Sequence, residues 1–224
     1  MIQYSPTSLQ QVIDWRIKRF PVYRILDNVA WLNNFFDTGE IQLSTFSKFR
    51  SYKDEMQGDK YEGQAAIIFD GDDKNMHAIT YEAGINAFIM STTVNLNDQV
   101  IDDFKGTCAI KINHPTLFAL ELSKKLPFVT SGLEGLCDYV EHRSKFLEKQ
   151  LRTDNLLKTI EELSKYKMDH LMNELTQGME LFAKHKKYSH QEEYRFIWFS
   201  NVPTNSTIKV QCPEAIEYCE KILF

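Results

Sequence analysis

The sequence has no apolar run that approaches the roughly 20 consecutive residues a helix needs to cross a bilayer. Its first residues, Met-Ile-Gln-Tyr-Ser-Pro, also lack the basic and then apolar layout of a secretory signal peptide. We therefore expect a cytoplasmic protein that has no membrane partner.

The spacings typical of metal sites are also missing. No two cysteines are separated by the two residues typical of zinc knuckles, and no two histidines have metal-ligand spacing on one helix face. We predict reduced thiols and no metal centre. The residues concerned are Cys108, Cys137, Cys212, Cys219, His77, His114, His142, His170, His185 and His190.

A strong excess of one charge is absent as well. The chain has 26 basic and 31 acidic residues, a net charge of -5, which does not favour attraction of its whole surface to nucleic acid or anionic lipid. The densest basic run is Lys184-His185-Lys186-Lys187. Two interpretations of this run stay open: a solvated helix end, or a local patch that attracts an anionic acceptor.

What is present is enough apolar material for one sizeable core. Of the 224 residues, 43% are hydrophobic and 12% aromatic, as in an ordinary globular protein. No linker or internal repeat divides the chain. We therefore predict a single domain over 1–224.

The residue pattern predicts both helices and strands. Thr7 and Ser8 can cap a helix that Pro21 ends, and a second helix begins near Asn28, with Gly39 as its stop. Predicted strands cover 22–26, 41–44, 65–69, 76–81, 87–94, 107–112, 193–199 and 207–210, and a short helix covers 213–223. A Gly71-Asp72-Asp73 turn joins two of these strands, which favours a mainly antiparallel sheet. The helical pattern of 114–187 predicts a helical insertion into an α+β domain.

A carboxylate stands where the predicted strand 193–199 begins. Alternation places Glu193 and Arg195 on one face, and Tyr194, Phe196 and Trp198 on the other, which we interpret as the core face. Glu193 would then face a cleft, with Gln191 beside it. The alternative is an edge strand whose charges are merely solvated or paired.

Three polar motifs follow one another along the chain. Arg24 lies on the first predicted strand after the opening helix, Ser91-Thr92-Thr93 ends a central strand, and Gln191-Glu192-Glu193 begins a late one. Tyr188 precedes Gln191 by three residues. In this order the set resembles the toxin-like branch of the ADP-ribosyltransferase superfamily, whose members carry an arginine, a Ser-Thr-Ser motif and a Gln-x-Glu motif. Thr93 departs from that pattern, since the family has serine there.

The resemblance implies an α+β fold with a split, mainly antiparallel sheet, and transfer of ADP-ribose from NAD to a macromolecular acceptor, either protein or nucleic acid. It assigns catalysis to Glu193, which would stabilise an oxocarbenium-like state and hold the ribose 2′-hydroxyl. Gln191 would position the acceptor.

The same resemblance assigns four residues to NAD binding. Arg24 would bind the pyrophosphate with its planar donors, and Ser91 would orient Glu193 or the nicotinamide ribose. Thr92 would support the strand, and Tyr188 would stack on nicotinamide or acceptor. For Arg24 alone, an ion pair with Asp27 or a loop carboxylate is an equal alternative.

A second resemblance is to a group of bacterial proteins that share a Gly-x-Ile-x-Leu-Ser segment, here 39–44, and a late Glu-Tyr-Arg, here 193–195. This second resemblance says little about activity. The main alternative to the transferase is a non-catalytic binding or regulatory module of the same fold in a bacterial or phage defence context.

The acidic segment 49–63 supplies the second alternative, a metal-dependent nuclease. We expect an exposed loop or helical turn there. Its carboxylates Asp54, Asp59 and Glu62 could bind Mg²⁺ and act with Glu193.

Overall fold

The computed structural model of the chain describes residues 2–4, 20–52, 58–70, 76–147, 171, 179–204 and 206–224. The predicted helix that begins near Thr7, the Gly71-Asp72-Asp73 turn and Asp54 lie outside these residues. Within the described part of the chain, no helix is both long and apolar enough to span a membrane.

The described strands are β1 Ile2–Tyr4, β2 Val22–Leu26, β3 Glu40–Thr45, β4 Gln64–Asp70, β5 Met76–Glu82, β6 Ala87–Thr93, β7 Cys108–Ile112, β8 Val129–Leu136, β9 Asp138–Val140, β10 Ser144–Leu147, β11 Ala183–His185, β12 Glu193–Ser200, β13 Ile208–Gln211 and β14 Cys219–Leu223. The α-helices are α1 Val29–Thr38, α2 Phe46–Ser51, α3 Asp98–Asp103, α4 Pro115–Lys125 and α5 Met179–Phe182, and 3₁₀ helices cover Lys186–Gln191 and Pro213–Tyr218. The α+β class and the mostly antiparallel pairing are confirmed.

Among the described residues, the main sheet has nine strands, and it positions the site described below. Its central path runs β1-β8-β12-β6-β2-β7-β14, and all of its pairs are antiparallel. One edge of β6 pairs with β12, and its opposite edge is divided between two strands. Tyr23 of β2 pairs with Thr93 at one end of that edge, and Ser44 and Thr45 of β3 pair with Ile89 and Phe88 nearer its other end. Strands β2 and β3 therefore separate from each other along β6.

Helix α1 begins and ends where the sequence predicts. The Asn28 side chain accepts a hydrogen bond from the Ala30 amide at the first turn, and Gly39 ends the helix in the left-handed conformation, with φ of 74°. A Cβ on Gly39 would lie 2.3 Å from the Pro213 nitrogen. Glycine is thus required both by the backbone angle and by the close approach of the second 3₁₀ helix.

Strand β12 is buried on both faces. Tyr194, Phe196 and Trp198 belong to a first core between the main sheet and helices α1 and α4, which confirms that face. Ile197 belongs to a second core with β4, β5 and α5, and Arg195 is only 1% exposed. The opposite face, predicted as the polar side, is therefore covered rather than open.

Two predicted helical regions contain strands instead. After α4, the described part of 114–187 forms β8, β9, β10 and β11 besides the short helix α5, and β14 follows the 3₁₀ helix in the predicted helix 213–223. Strands β9 and β10 are short and pair in parallel with β11 and β4, and β14 pairs with the edge of β7. These partners are distant in sequence, so local periodicity did not indicate them.

In the described parts of the acidic segment 49–63, the exposure differs from expectation. Its first residues form the end of α2, and residues 60–63 form a turn, as one of the two expectations had it, but Asp59 and Glu62 are only 7% and 3% exposed. Both face the interior because cationic partners are buried with them.

Candidate functional site

Five of the six residues singled out in the sequence line one cavity of about 200 Å³. Arg24 comes from β2, Ser91 and Thr92 from the end of β6, and Gln191 and Glu193 from the start of β12. The pairing explains the convergence, because Thr93 lies opposite both Tyr23 of β2 and Glu193 of β12. The divided edge of β6 is thus where the three motifs meet.

Ser91 links the two other motifs. Its hydroxyl donates to Oε1 of Glu193 at 2.7 Å, and its backbone carbonyl accepts from Nη1 of Arg24 at 2.7 Å. The expected orientation of Glu193 by Ser91 is therefore present as a hydrogen bond. Thr92 lines the cavity too, and its hydroxyl donates to the Tyr194 carbonyl at 2.8 Å.

Glu193 is buried among cations. Besides Ser91, its Oε1 accepts from Nε of Arg195 at 2.6 Å, and its Oε2 accepts from Nζ of Lys184. Burial alone would raise the pKa of Glu193, but the charges and hydrogen bonds of Arg195 and Lys184 outweigh it and hold that pKa far below its usual range. Glu193 is therefore a permanent anion at neutral pH.

Arg195 connects Glu193 to the second core. Its Nη1 donates to the Leu181 carbonyl at 2.7 Å and lies 2.7 Å from Oε1 of Glu62. Burial would lower the pKa of Arg195, but the surrounding anionic groups, Glu193 and Glu62 among them, raise it well above its ordinary value. This arginine is 1% exposed and forms ion pairs with two carboxylates.

Lys184 and Gln191 complete the wall behind Glu193. Nζ of Lys184 donates to Oε1 of Gln191 at 2.7 Å as well as to Glu193, and Gln191 is only 1% exposed. The lysine therefore fixes the orientation of the Gln191 amide and neutralises the glutamate at the same time.

Arg24 is not paired with Asp27, so that alternative is wrong. Within the described residues its side chain donates to Ser91, and no carboxylate lies within ion-pair distance of it. Burial lowers the pKa of Arg24, an effect that nearby Tyr52, Glu193 and Asp27 partly offset. The guanidinium thus retains donors that can bind an anion in the cavity.

Tyr188 lies apart from the other five residues. Its ring is buried, with Nζ of Lys184 at 5.2 Å and Nζ of Lys187 at 4.7 Å from the ring centroid. It lines a larger neighbouring cavity instead. Its direct stacking on a ligand of the first cavity is therefore not supported by this geometry.

The described residues do not group the acidic side chains as a metal site. Asp59 is paired with Arg143 and Glu62 with Arg195. The described ranges contain no cluster of three or more metal-binding side chains. Because arginines already occupy both carboxylates, the magnesium alternative has little support in this part of the chain.

Two close partners of Glu193, Lys184 and Arg195, were not predicted as parts of the site. Glu62, which pairs with Arg195, was predicted only as a possible Mg²⁺ ligand. Lys184 belonged to a basic run that we interpreted as a helix end or acceptor patch. The one available signal was the alternation of β12, which places Arg195 on the same face as Glu193.

Comparisons with protein-family models, with curated proteins and with solved structures found no match to this chain.

Proposed function

We propose that this cavity binds NAD and that the chain transfers ADP-ribose from NAD to a macromolecular acceptor. The observation that carries the proposal is the hydrogen-bonded set Arg24–Ser91–Glu193. In this set one serine contacts both the arginine and the glutamate, and the three residues lie on three neighbouring strands. The resemblance to ADP-ribosyltransferases requires this convergence, and the divided edge of β6 supports the split sheet it implies.

The ionisation of Glu193 suits the chemistry. In the transfer, the bond between C1′ of the ribose and the nicotinamide nitrogen breaks, and nicotinamide leaves as a neutral molecule with the bonding electrons. A nucleophile of the acceptor bonds to C1′ and loses its proton to solvent. Positive charge develops on the ribose meanwhile, and a buried carboxylate held by fixed donors stabilises it without reorganising.

The size of the cavity limits what it can enclose. At about 200 Å³ it is smaller than the roughly 300–1,000 Å³ of pockets that surround a whole small ligand. It would hold the nicotinamide-ribose end of NAD beside Glu193. Arg24 offers its remaining donors to the pyrophosphate, in the planar geometry that suits phosphate oxygens.

One observation favours the non-catalytic alternative. Both oxygens of Glu193 already accept hydrogen bonds from Arg195, Lys184 or Ser91. A ribose hydroxyl would have to share or displace one of them. A module that binds NAD without turning it over would keep the cavity and lack the transfer.

The test uses NAD labelled in its adenylate half, incubated with the protein and a cell lysate. We expect label on a macromolecule, and a loss of about 100-fold or more in Glu193→Gln, as for removal of a preorganised transition-state contact. Glu192→Gln is the matched control, since Glu192 is adjacent, carries the same charge and is exposed.

Calorimetric titration with NAD separates the alternatives, with circular dichroism to verify that each variant is folded. Binding without transfer in the wild type would identify the non-catalytic module. Absence of binding would overturn both proposals. Equal transfer by Glu193→Gln and the wild type would overturn the catalytic role proposed for Glu193 in the hydrogen-bonded set.

A further inference from the structure

Glu193 is held by a second, smaller sheet as well as by its own. Among the described strands, β9 and β11 pair only with each other, and Tyr139 of β9 lies opposite Lys184 of β11. Both residues contact Glu193. Nζ of Lys184 donates to the Glu193 carboxylate, and the Tyr139 hydroxyl accepts from the Glu193 amide at 2.7 Å. The small sheet therefore holds both the side chain and the backbone of this residue.

The Glu193 amide lies where the ladder between β8 and β12 ends. The Cys137 amide donates to the Glu193 carbonyl at 2.9 Å, and Cys137 stands between β8 and β9, where the chain leaves the main sheet. The amide and the carbonyl of one strand residue point to the same side. The Glu193 amide therefore faces the end of the ladder, and the Tyr139 hydroxyl supplies its acceptor there.

The turn before Glu193 needs this support. Glu192 has φ of 40°, in the left-handed region that residues other than glycine seldom adopt. The Glu192 amide donates to the Ser189 carbonyl at 3.2 Å, and the Glu192 carbonyl accepts from the Val94 amide at 3.1 Å. A backbone released at Glu193 would relax from this conformation, and the carboxylate would move with it.

The Tyr139 hydroxyl is a neutral acceptor. Burial raises the pKa of Tyr139 above its ordinary value of 10.0, the hydrogen bond from the Glu193 amide opposes this rise, and the charge of the Glu193 carboxylate adds to it. The phenol therefore keeps its proton at neutral pH and places no second anion beside Glu193. Tyr139 does not line the cavity, so it would act on a ligand there only through Glu193.

We propose that Tyr139 is a positioning residue for the transfer of ADP-ribose, because its hydroxyl fixes the backbone of Glu193 and so keeps the carboxylate in place beside the ribose. This inference rests on the proposed function. It gives Tyr139 no contact with NAD and no part in proton transfer. Removal of the hydroxyl should therefore slow the chemical step and leave the binding of NAD unchanged.

The experiment measures initial rates of label transfer from NAD to a cell lysate over a range of NAD concentrations. We expect Tyr139→Phe, which removes only the hydroxyl, to lower the apparent kcat by about 10- to 100-fold, as for a catalytic group displaced by about 1 Å. The KM for NAD should not change. Circular dichroism verifies that the variant is folded.

Tyr218→Phe is the matched control. Tyr218 is also half-buried, its hydroxyl bonds Glu217, and it packs beside the first core without lining the cavity. This variant also loses one phenol oxygen, and it should transfer ADP-ribose like the wild type. An equal loss of kcat in both tyrosine variants would assign the effect to general stability and overturn the inference.

Hydrogen exchange of the Glu193 amide, followed by NMR without NAD, tests the contact itself. The amide should be protected in the wild type and in Tyr218→Phe, and it should exchange at least about fivefold faster in Tyr139→Phe, which lacks its acceptor. An unprotected Glu193 amide in the folded wild type would overturn the inference without any variant.

The two proposals fail in different ways. Absence of transfer by the wild type overturns the proposed function, and the role of Tyr139 in it. Equal transfer by the wild type and Tyr139→Phe overturns only the role of Tyr139. A raised KM for NAD with unchanged kcat also overturns that role, since it would show that the hydroxyl serves binding and not the chemical step.

Discussion

At the scale of single residues, two adjacent glutamates have opposite environments. Glu192 is exposed and ends the 3₁₀ helix in the left-handed conformation, with φ of 40°, and this bend directs the next residue into β12. Glu193 is 5% exposed between Arg195 and Lys184. The two side chains have the same chemistry, so their difference comes wholly from the backbone turn between them.

The ionisation of Glu193 predicts a specific loss of stability in acid. Its folded pKa lies below its ordinary value of 4.5, so its stabilising effect is complete above that pH and declines as pH falls further. We expect Glu193→Gln to unfold at a free energy about 1–3 kcal/mol lower than the wild type near neutral pH. That difference should shrink progressively as the pH falls below 4.5. Urea titrations across this range measure it.

Glu192→Gln provides the comparison for that series. Its carboxylate is exposed, so the variant should follow the wild type at every pH. A constant gap between Glu193→Gln and the wild type down to strongly acidic pH would show that the carboxylate charge is not the stabilising feature.

Residue chemistry made part of the site predictable. Arg24, Ser91 and Glu193 stand out because their types and order resemble the motifs of ADP-ribosyltransferases, and the structure brings them together. Lys184 could not be found in the same way. A lysine in a sequence indicates a solvated side chain, and only the fold shows that it is buried with its partner.

At the scale of elements, the position of β12 depends on the buried charge of Arg195. Arg195 is 1% exposed and sits between Glu193 and Glu62. Such a group is costly to bury and becomes favourable only when both carboxylates are present. The register of β12 is therefore fixed by the ion pairs of Arg195 on one face and by aromatic packing on the other.

Replacing this arginine by an apolar side chain of similar length tests that statement. We expect Arg195→Met to lower the free energy of unfolding by about 3–5 kcal/mol, because it leaves a buried carboxylate without a cation. Urea unfolding is the suitable measurement, since it keeps ionic strength constant. Lys124→Met, which breaks only an exposed pair, should change it by less than about 0.5 kcal/mol. Similar losses in the two variants would contradict the role given to burial.

Element prediction succeeded where a segment carries its own signals. The β2 strand and the Gly39 stop are local features, and both lie where expected. Strand β8 is different, because Gly132 and Gly135 dilute its alternation and its partners are β1 and β12. Segments whose structure depends on distant partners are those for which local periodicity gave the wrong answer.

At the scale of the whole molecule, two cores meet at one strand. Phe196 and Trp198 pack in the first core and Ile197 in the second, while Glu193 lies at the strand's end beside the cavity. The site is thus attached to both packing units. The affinity for a ligand that contacts Glu193 would therefore depend on the packing of both cores.

The four cysteines lie at separate places in this arrangement, so their reactivity can be used to test it. Cys108 and Cys212 lie in the first core, Cys137 lies near Glu193, and Cys219 begins the edge strand β14. All four are free thiols, and burial raises the pKa of each, that of Cys212 to about 11 and that of Cys219 to about 12. Since the thiolate is the reactive form, both low ionisation and poor access slow their reaction.

We therefore expect a thiol reagent at about pH 8 to modify fewer than one cysteine per chain rapidly in the native protein, and all four after unfolding in urea. Mass spectrometry of the modified peptides identifies which thiol reacts. Rapid reaction of Cys108 or Cys212 would contradict a closed first core, and fewer than four thiols in urea would contradict the reduced state. Selective reaction of Cys137 would instead show that the region around Glu193 opens while both cores stay packed, which is the motion that a ligand would need to reach the buried carboxylate.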